Sequence, residues 1–298
     1  MAGHPMVIRC STTAAVAFIT LVCVLPHETL PAQDTHIYDR LTSINTVSDT
    51  GPAREQIYSI NDILYCTGES EAASANNAAA KLMAEGNYQA AAAALTTALP
   101  HAPLFFPFRF NLGICCIYLE DLDTARMHLT KAAYLVPEYP QTYLQIGYIY
   151  DRWGKDNTAL EYYKKSLKRN PNGLSTLVLI GDNYFKRNQI EMALQYYDRA
   201  LQTDPKYPDA LLGRAKIHFV REEYFKCVVQ IKSINITGSY DKALHYYYAE
   251  SAFKLKDYAT AHEQYRTLLR YRTDRFFLAY SPFLIQHKID LCARFIER

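Results

Sequence analysis

Apolar and polar positions along the middle of the chain alternate with the period of a helix. Between Leu174 and Tyr207, Leu177, Ile180, Gly181 and Tyr184 fall at i, i+3, i+4 and i+7, the spacing of one helix face. A polar break follows at Arg187-Asn188-Gln189. Ala193, Leu194, Tyr197, Ala200 and Leu201 then mark the face of a second helix. Asp204-Pro205 ends it, because proline has no N–H to continue the helical ladder. The stretch predicts a helix–turn–helix hairpin of 34 residues.

The pattern recurs at the same period. Moving 34 residues toward the N-terminus places Ile146, Gly147, Tyr150, Ala159, Tyr163 and Pro171 on equivalent positions. A further shift gives Leu112, Gly113, Cys116, Ala125, Leu129, Ala132 and Pro137. A third gives Ala78, Ala79, Leu82, Ala91, Leu95, Ala98 and Pro103. Toward the C-terminus, Tyr248, Ala249, Ala252, Ala261, Tyr265 and Leu268 fit from Lys242. The unit from Pro208 is degenerate, with Arg214, Ala215, His218, Cys227 and Ile231 at the key places and Ser239 where proline stands elsewhere. Six units, 72–105, 106–139, 140–173, 174–207, 208–241 and 242–275, follow one another without insertion.

The order of large residue, Leu-like residue, Gly and Tyr, then Ala, aromatic, Ala and Pro, resembles the tetratricopeptide repeat (TPR) family. The resemblance covers about two thirds of the chain. It implies an all-α, right-handed solenoid of about six helix-turn-helix repeats with a C-terminal capping helix in 276–298. Gly or Ala at the eighth place and Ala at the twentieth let the two helices of a hairpin approach closely. No hairpin buries its apolar face alone, so neighbours must stack.

The resemblance also implies where partners bind. In this family the first helix of each hairpin lines a concave groove. Carried over place by place, the lining is Phe110, Ile114, Ile117 and Tyr118, then Leu144, Tyr148, Asp151 and Arg152, then Val178, Asp182, Phe185 and Lys186. Leu212, Lys216 and Phe219 follow, then Tyr246, Glu250, Phe253 and Lys254. The carboxylate clamp of chaperone-binding members is not supported, because Asn76 is followed by Ala80 where a second asparagine would stand, and the next unit offers Phe110 and Ile114. An apolar, aromatic floor suits an amphipathic helix or an extended peptide of another protein. Alternatively the groove is filled by the chain's own terminal segment or by self-association.

Charge and motifs narrow the function. With 32 Lys and Arg against 30 Asp and Glu, the chain lacks the basic balance of a dedicated nucleic-acid binder. Most of its 25 tyrosines read as packing residues. The 7 cysteines, Cys10, Cys23, Cys66, Cys115, Cys116, Cys227 and Cys292, form no C-x-x-C pair. They read as small buried hydrophobes, with a disulfide from Cys66 as the alternative. His101, His128, His218, His245 and His262 lie in separate units and read as surface or packing side chains. No G-x-S-x-G, P-loop or H-E-x-x-H motif occurs, so neither an enzyme, a cofactor nor a metal is expected. Asn235-Ile236-Thr237 matches a glycosylation acceptor.

The ends differ from the middle. Arg9 precedes an apolar run, Ala14–Leu25, that Pro26 breaks, and Leu30-Pro31-Ala32 offers a cleavage site. Residues 1–32 therefore resemble a secretory signal peptide, too short for the roughly 20 apolar residues of a membrane span. An uncleaved anchor, or lipid on Cys23, is the alternative, although Val22 departs from the small residue such sites prefer. Residues 33–51 read as a polar arm, and Pro52–Tyr65 as a helix with Ile57, Ile60 and Leu64 on one side, covering an alanine-rich first hairpin. Pro103–Phe108 reads as an aromatic plug between hairpins. Ser281-Pro282 starts a last helix with Ile285, Ile289, Cys292, Ala293 and Ile296 inward and Gln286, Asp290, Arg294 and Glu297 outward.

The expected function is an exported, non-enzymatic scaffold of a bacterial periplasm or envelope that binds another protein. A second expectation is an accessory component of a solute transporter, binding its substrate-binding protein or an apolar ligand, with homo-oligomers allowed.

Overall fold

A helix begins each time the 34-residue pattern restarts. The computed structural model describes residues 56–234, 242–270 and 281–297. The expectations for residues 1–51, for Asn235 and Ser239, and for 276–280 lie outside the described residues. Two compact units divide the chain after Pro171.

In the first unit, β1 (Ile57–Ile60) and β2 (Ile63–Cys66) precede three helical hairpins. These are α1 (Glu71–Ala84) with α2 (Tyr88–Ala98), α3 (Phe106–Tyr118) with α4 (Leu122–Leu135), and α5 (Pro140–Arg152) with α6 (Asp156–Arg169). The second unit contains α7 (Leu174–Lys186) with α8 (Ile190–Thr203), α9 (Pro208–Val220) with α10 (Tyr224–Ser233), and α11 (Lys242–Lys254) with α12 (Tyr258–Leu269). The last helix, α13 (Pro282–Ile296), packs on α12.

The eighth-place glycines act as the periodicity requires. A methyl group on Gly113 would lie 2.5 Å from the Leu129 side chain, and one on Gly147 or Gly181 2.6 Å from the ring of Tyr163 or Tyr197. Gly213, of the following hairpin, would meet the same Tyr197 ring at 2.5 Å. The rings lie against bare backbone, and Tyr163, Tyr197 and Tyr265 are among the largest fully buried side chains.

The turn inside each hairpin repeats one geometry that the residue types conceal. The fifteenth place of every unit has a left-handed backbone: Gly86, Glu120, Gly154, Asn188, Glu222 and Lys256, with φ between 58° and 80°. The next amide donates to a carbonyl five residues back, as Asp121 does to Cys116 and Glu223 to His218. The left-handed residue's own amide donates three residues back. This double closure satisfies the carbonyls left open at the helix end. Only two of the six positions are glycine.

The expected helix over Pro52–Tyr65 is corrected, for its described residues, by a β-hairpin. β1 and β2 are antiparallel, with Tyr58 opposite Tyr65 and Ser59 opposite Leu64. Asn61 and Asp62 between them have φ of 51° and 63°. Two consecutive left-handed residues cannot sit in a right-handed helix; they make the two-residue turn whose twist matches paired strands. Ile-Tyr-Ser-Ile and Ile-Leu-Tyr-Cys are also β-prone on both sides of that turn. The all-α solenoid stands, with this one short hairpin added ahead of its first repeat.

Other expectations are met locally. Phe105, Phe106 and Phe108 are buried, with Tyr139 edge-on to Phe106 and Phe110, so the aromatic turn is a plug. In α13, Ile285, Ile289 and Cys292 are buried and Gln286, Asp290 and Arg294 exposed. That outer face is not wholly polar, since Phe283, Leu284 and Ile296 are also exposed. Pro282 occupies the first turn, but Ser281 makes no side-chain cap bond.

Two substitutions test this frame. Gly213→Val should lower the urea midpoint by an equivalent of about 1–3 kcal/mol, the cost of overpacking; an unchanged midpoint would mean that Tyr197 moves aside freely. Glu222→Gly should raise stability by about 0.5–1 kcal/mol, since relief of left-handed strain exceeds the added freedom of the unfolded chain.

Candidate functional site

The face expected to receive partners is built from the first helices of the hairpins. In the first unit part of that face is already covered by β2. In a two-residue hairpin, alternate residues turn their backbone groups away from the partner strand. On β2 these are Leu64 and Cys66, and asparagine side chains meet them. The Leu64 N–H donates to Asn111 Oδ1 (2.9 Å), and the Leu64 carbonyl accepts from Asn111 Nδ2 (2.9 Å) and Asn76 Nδ2 (2.8 Å). Asn111 Nδ2 also donates to Asn76 Oδ1 (3.0 Å). The Cys66 N–H donates to Asn77 Oδ1 (2.8 Å), and its carbonyl accepts from Asn77 Nδ2 (2.6 Å). Gln141 Nε2 reaches Asp62 Oδ1 at the turn (2.6 Å). Leu64, Asn76 and Asn111 are fully buried. The amides of α1 and α3 thus present what a neighbouring strand would. In the sequence this seat is marked only by the adjacent Asn76-Asn77 pair and by Asn111 one repeat later.

The expected lining divides into two groups. Phe110, Ile114 and Leu144 in the first unit, and Val178, Asp182, Leu212 and Lys216 in the second, are buried. They are packing or paired side chains with no surface to offer. Tyr118, Tyr148 and Arg152, and Phe185, Phe219, Tyr246 and Phe253, are half-buried and keep one side accessible. Tyr118 stacks on Tyr88 at 3.9 Å between centroids. Arg152 donates to the Tyr148 hydroxyl (3.3 Å) and pairs with Glu120 (3.2 Å). In the second unit Phe219 meets Tyr247 edge-on at 5.2 Å, Tyr247 meets Tyr246 at 5.4 Å, and Phe253 meets Tyr258 at 5.6 Å. The ring of Tyr247, absent from the expected lining, ties two of these together. A second accessible aromatic group in the first unit, Trp153 with Arg126 and Lys155 at 5.9 and 5.2 Å from its ring, was also not anticipated.

Burial of Asp182 and Lys216 has a specific cause. Lys216 Nζ lies 3.2 Å from Asp182 Oδ1, and the Tyr197 hydroxyl donates to the same oxygen at 2.8 Å. The arrangement recurs at Glu250, which accepts from Tyr265 (2.8 Å) and pairs with Lys288 of α13. In both hairpins the carboxylate stands fifteen residues before the tyrosine. Where the ninth place is Ala80, Ile114 or Lys216, the matching place holds Leu95, Leu129 or Ile231 instead. Burial, and then the carboxylate beside each, pushes both phenols above the ordinary tyrosine range, so they remain donors. Asp182 and Lys216 link one hairpin to the next, and Glu250 and Lys288 link the last hairpin to α13.

The remaining titratable groups are quiet. Cys66, Cys115, Cys116, Cys227 and Cys292 are buried free thiols, so Cys66 makes no disulfide to another described cysteine. Burial raises Cys115 to about 12 and Cys116 to about 11, so neither is a nucleophile at neutral pH. His128 and His245 are buried, His218 and His262 half-buried, and His101 exposed. His245 bonds Gln264 (2.8 Å) and His218 bonds Glu223 (2.6 Å). Among the described residues no cluster of His, Cys, Asp or Glu is placed to hold a metal, and no helix is long and apolar enough to cross a membrane.

Two outcomes follow from these charges. Lys216→Met should cost about 3–5 kcal/mol by removing the buried cation that faces the Asp182 carboxylate. Replacing the whole set, with Asp182→Leu and Tyr197→Phe added, should recover most of the loss in urea unfolding; no loss in the single variant would show that the pair is solvated. Burial, then Arg109 and Lys131, lowers His128 to about 4 from 6.5. The folded chain therefore binds this proton less readily than the unfolded chain. Stability is unaffected above about pH 6.5 and falls from there toward about pH 4. His128→Gln should flatten that slope in melts taken across this range.

Comparison with known proteins agrees with this geometry. Family models described as tetratricopeptide repeat match residues 76–142 and 140–172, and one described as TPR repeat matches 181–219. BBSome complex member BBS4 of Bos taurus is 35% identical over 71 residues, 24% of this chain and 14% of that protein. The chain thus spans about a seventh of that relative's length. Among solved structures, the APC/C hetero-tetramer Cut9-Hcn1 aligns with TM-score 0.64 and 16% identity, over 74% of this chain and 42% of that one. PilW, a type IV pilus biogenesis factor, aligns with TM-score 0.60 and 17% identity, over 75% of this chain and 99% of that one. At such identities the structural likeness shows the fold alone.

Proposed function

Because the chain belongs to the tetratricopeptide repeat family, whose fold serves protein–protein interaction, we propose that it is a non-enzymatic scaffold that holds a peptide or amphipathic helix of another protein on the first helices of its hairpins. One observation carries this reading. Of the expected lining, the residues left accessible are mostly aromatic rings and an arginine, Tyr118, Tyr148 and Arg152 in the first unit and Phe185, Phe219, Tyr246 and Phe253 in the second, with the charged Asp151, Lys186 and Lys254 next to them in the chain. Rigid aromatic side chains and arginine give large contact area at low entropic cost and dominate binding energy at interfaces. The buried members of the set fix the helices that carry them.

We further propose an exported location, in the periplasm or envelope of a bacterium. The support is the sequence of Arg9, the Ala14–Leu25 apolar run and the Leu30-Pro31-Ala32 site. Mass spectrometry of the mature chain should find its N-terminus at Gln33; an intact N-terminal leader on the fractionated protein would contradict cleavage.

The binding role is tested by quantitative affinity capture with the full chain. Tyr148→Ala and Phe253→Ala should each weaken retention of the captured partner by roughly 30-fold, about 2 kcal/mol, with helical content unchanged. Unchanged capture in both variants would remove these faces as the binding surface.

A further inference from the structure

The seat of β2 on α1 and α3 recognises backbone rather than side chains. Asn76, Asn77 and Asn111 engage the N–H and carbonyl groups of Leu64 and Cys66. Any extended segment offers the same groups at the same two-residue spacing. The side chains facing the seat are apolar and small enough to enter it: Leu64 is fully buried and Cys66 nearly so. Asn76 and Asn111 are themselves buried. If the strand leaves, these amides lose their backbone partners and are met by water or by another strand. A strand of another chain restores every bond.

Asn61 and Asp62 take the left-handed backbone of a two-residue turn, which joins β2 only to β1. A two-stranded hairpin is at best marginal without its support. The seat therefore supplies most of what keeps β2 extended.

We propose that the asparagine face of α1 and α3 is a receptor for an extended, uncharged segment with apolar side chains at alternate positions, kept filled by the chain's own Ile63–Cys66 until a partner's segment of the same character takes its place. This rests on the reading of the chain as a protein-binding scaffold and assigns one partner class to one face of the first unit. A helical ligand does not fit here, because its amides are already bonded internally.

The probe is a fluorescein-labelled peptide matching residues 56–67, read by anisotropy against the full chain. Leu64→Asp in the full chain places a charge on the buried strand position and vacates the seat. The peptide should bind this variant at least tenfold more tightly than the native chain, and a peptide carrying the same Leu64→Asp change should not bind. Adding Asn111→Ala to the opened chain should weaken binding at least tenfold. A helical, opened chain that takes the peptide no better than native, or equally well without Asn111, would overturn the proposal. Should Leu64→Asp not fold, amide exchange in the native chain decides. The Leu64 and Cys66 amides should exchange well before those in the middle of α3, as the strand leaves locally. Exchange of those two amides only with global unfolding would mark β2 as a fixed part of the fold and refute the receptor. Because capture through Tyr148 and Phe253 is measured separately, failure here leaves the scaffold reading standing, and failure there leaves this one.

Discussion

Everything in this chain depends on two helices coming close enough for a side chain of the second to touch the backbone of the first. Gly113 against Leu129, Gly147 against Tyr163 and Gly181 against Tyr197 leave no room for a methyl group. That contact sets the angle at which each hairpin closes and fixes what its outer surfaces meet. The tyrosines repay their bulk by filling the space between hairpins: Tyr197 reaches Gly181 of its own pair and Gly213 of the next. At Tyr197 and Tyr265 a carboxylate accepts the buried hydroxyl, and a lysine from the following helix pairs with that carboxylate. One close approach thus leads by steric and electrostatic necessity to a linked series of hairpins in the second unit.

Much of this could be read from residue spacing alone. Helix starts at 106, 140, 174, 208 and 242 follow from a period of 34, and small residues at the eighth place mark the close contacts. Three features were not legible for identifiable reasons. The left-handed fifteenth place is filled by Glu120, Glu222 and Lys256 in three units, residues that carry no turn signature of their own, although Gly86, Gly154 and Asn188 stand there in the others. Ile57, Ile60 and Leu64 satisfy helical spacing as well as a pair of strands does, and only the Asn61-Asp62 turn breaks the tie. Asp182 and Lys216 look like groove charges until the 15- and 34-residue separations to Tyr197 and between themselves are seen to bring them together.

The binding faces emerge as what these constraints leave over. Many side chains at the fifth and ninth places are consumed by packing or pairing, as Phe110, Ile114, Leu144, Val178, Asp182, Leu212 and Lys216 are, while Tyr148 and Tyr246 at the same places stay half-buried. Those nearer the end of each first helix, such as Phe185, Phe219 and Phe253, remain partly open. The first unit differs because its own strand lies on the asparagines of α1 and α3, converting part of the expected surface into interior. First helices thus receive a segment of the chain itself in the first unit, and the proposed function has them receive a partner elsewhere.

The most direct test of this account is the hydrogen-exchange footprint of the full chain with and without its captured partner. Binding through the first helices predicts new protection in α5, α9 and α11, with α6, α8 and α12 unchanged. Protection gained on the second helices while the first remain as they were would contradict it.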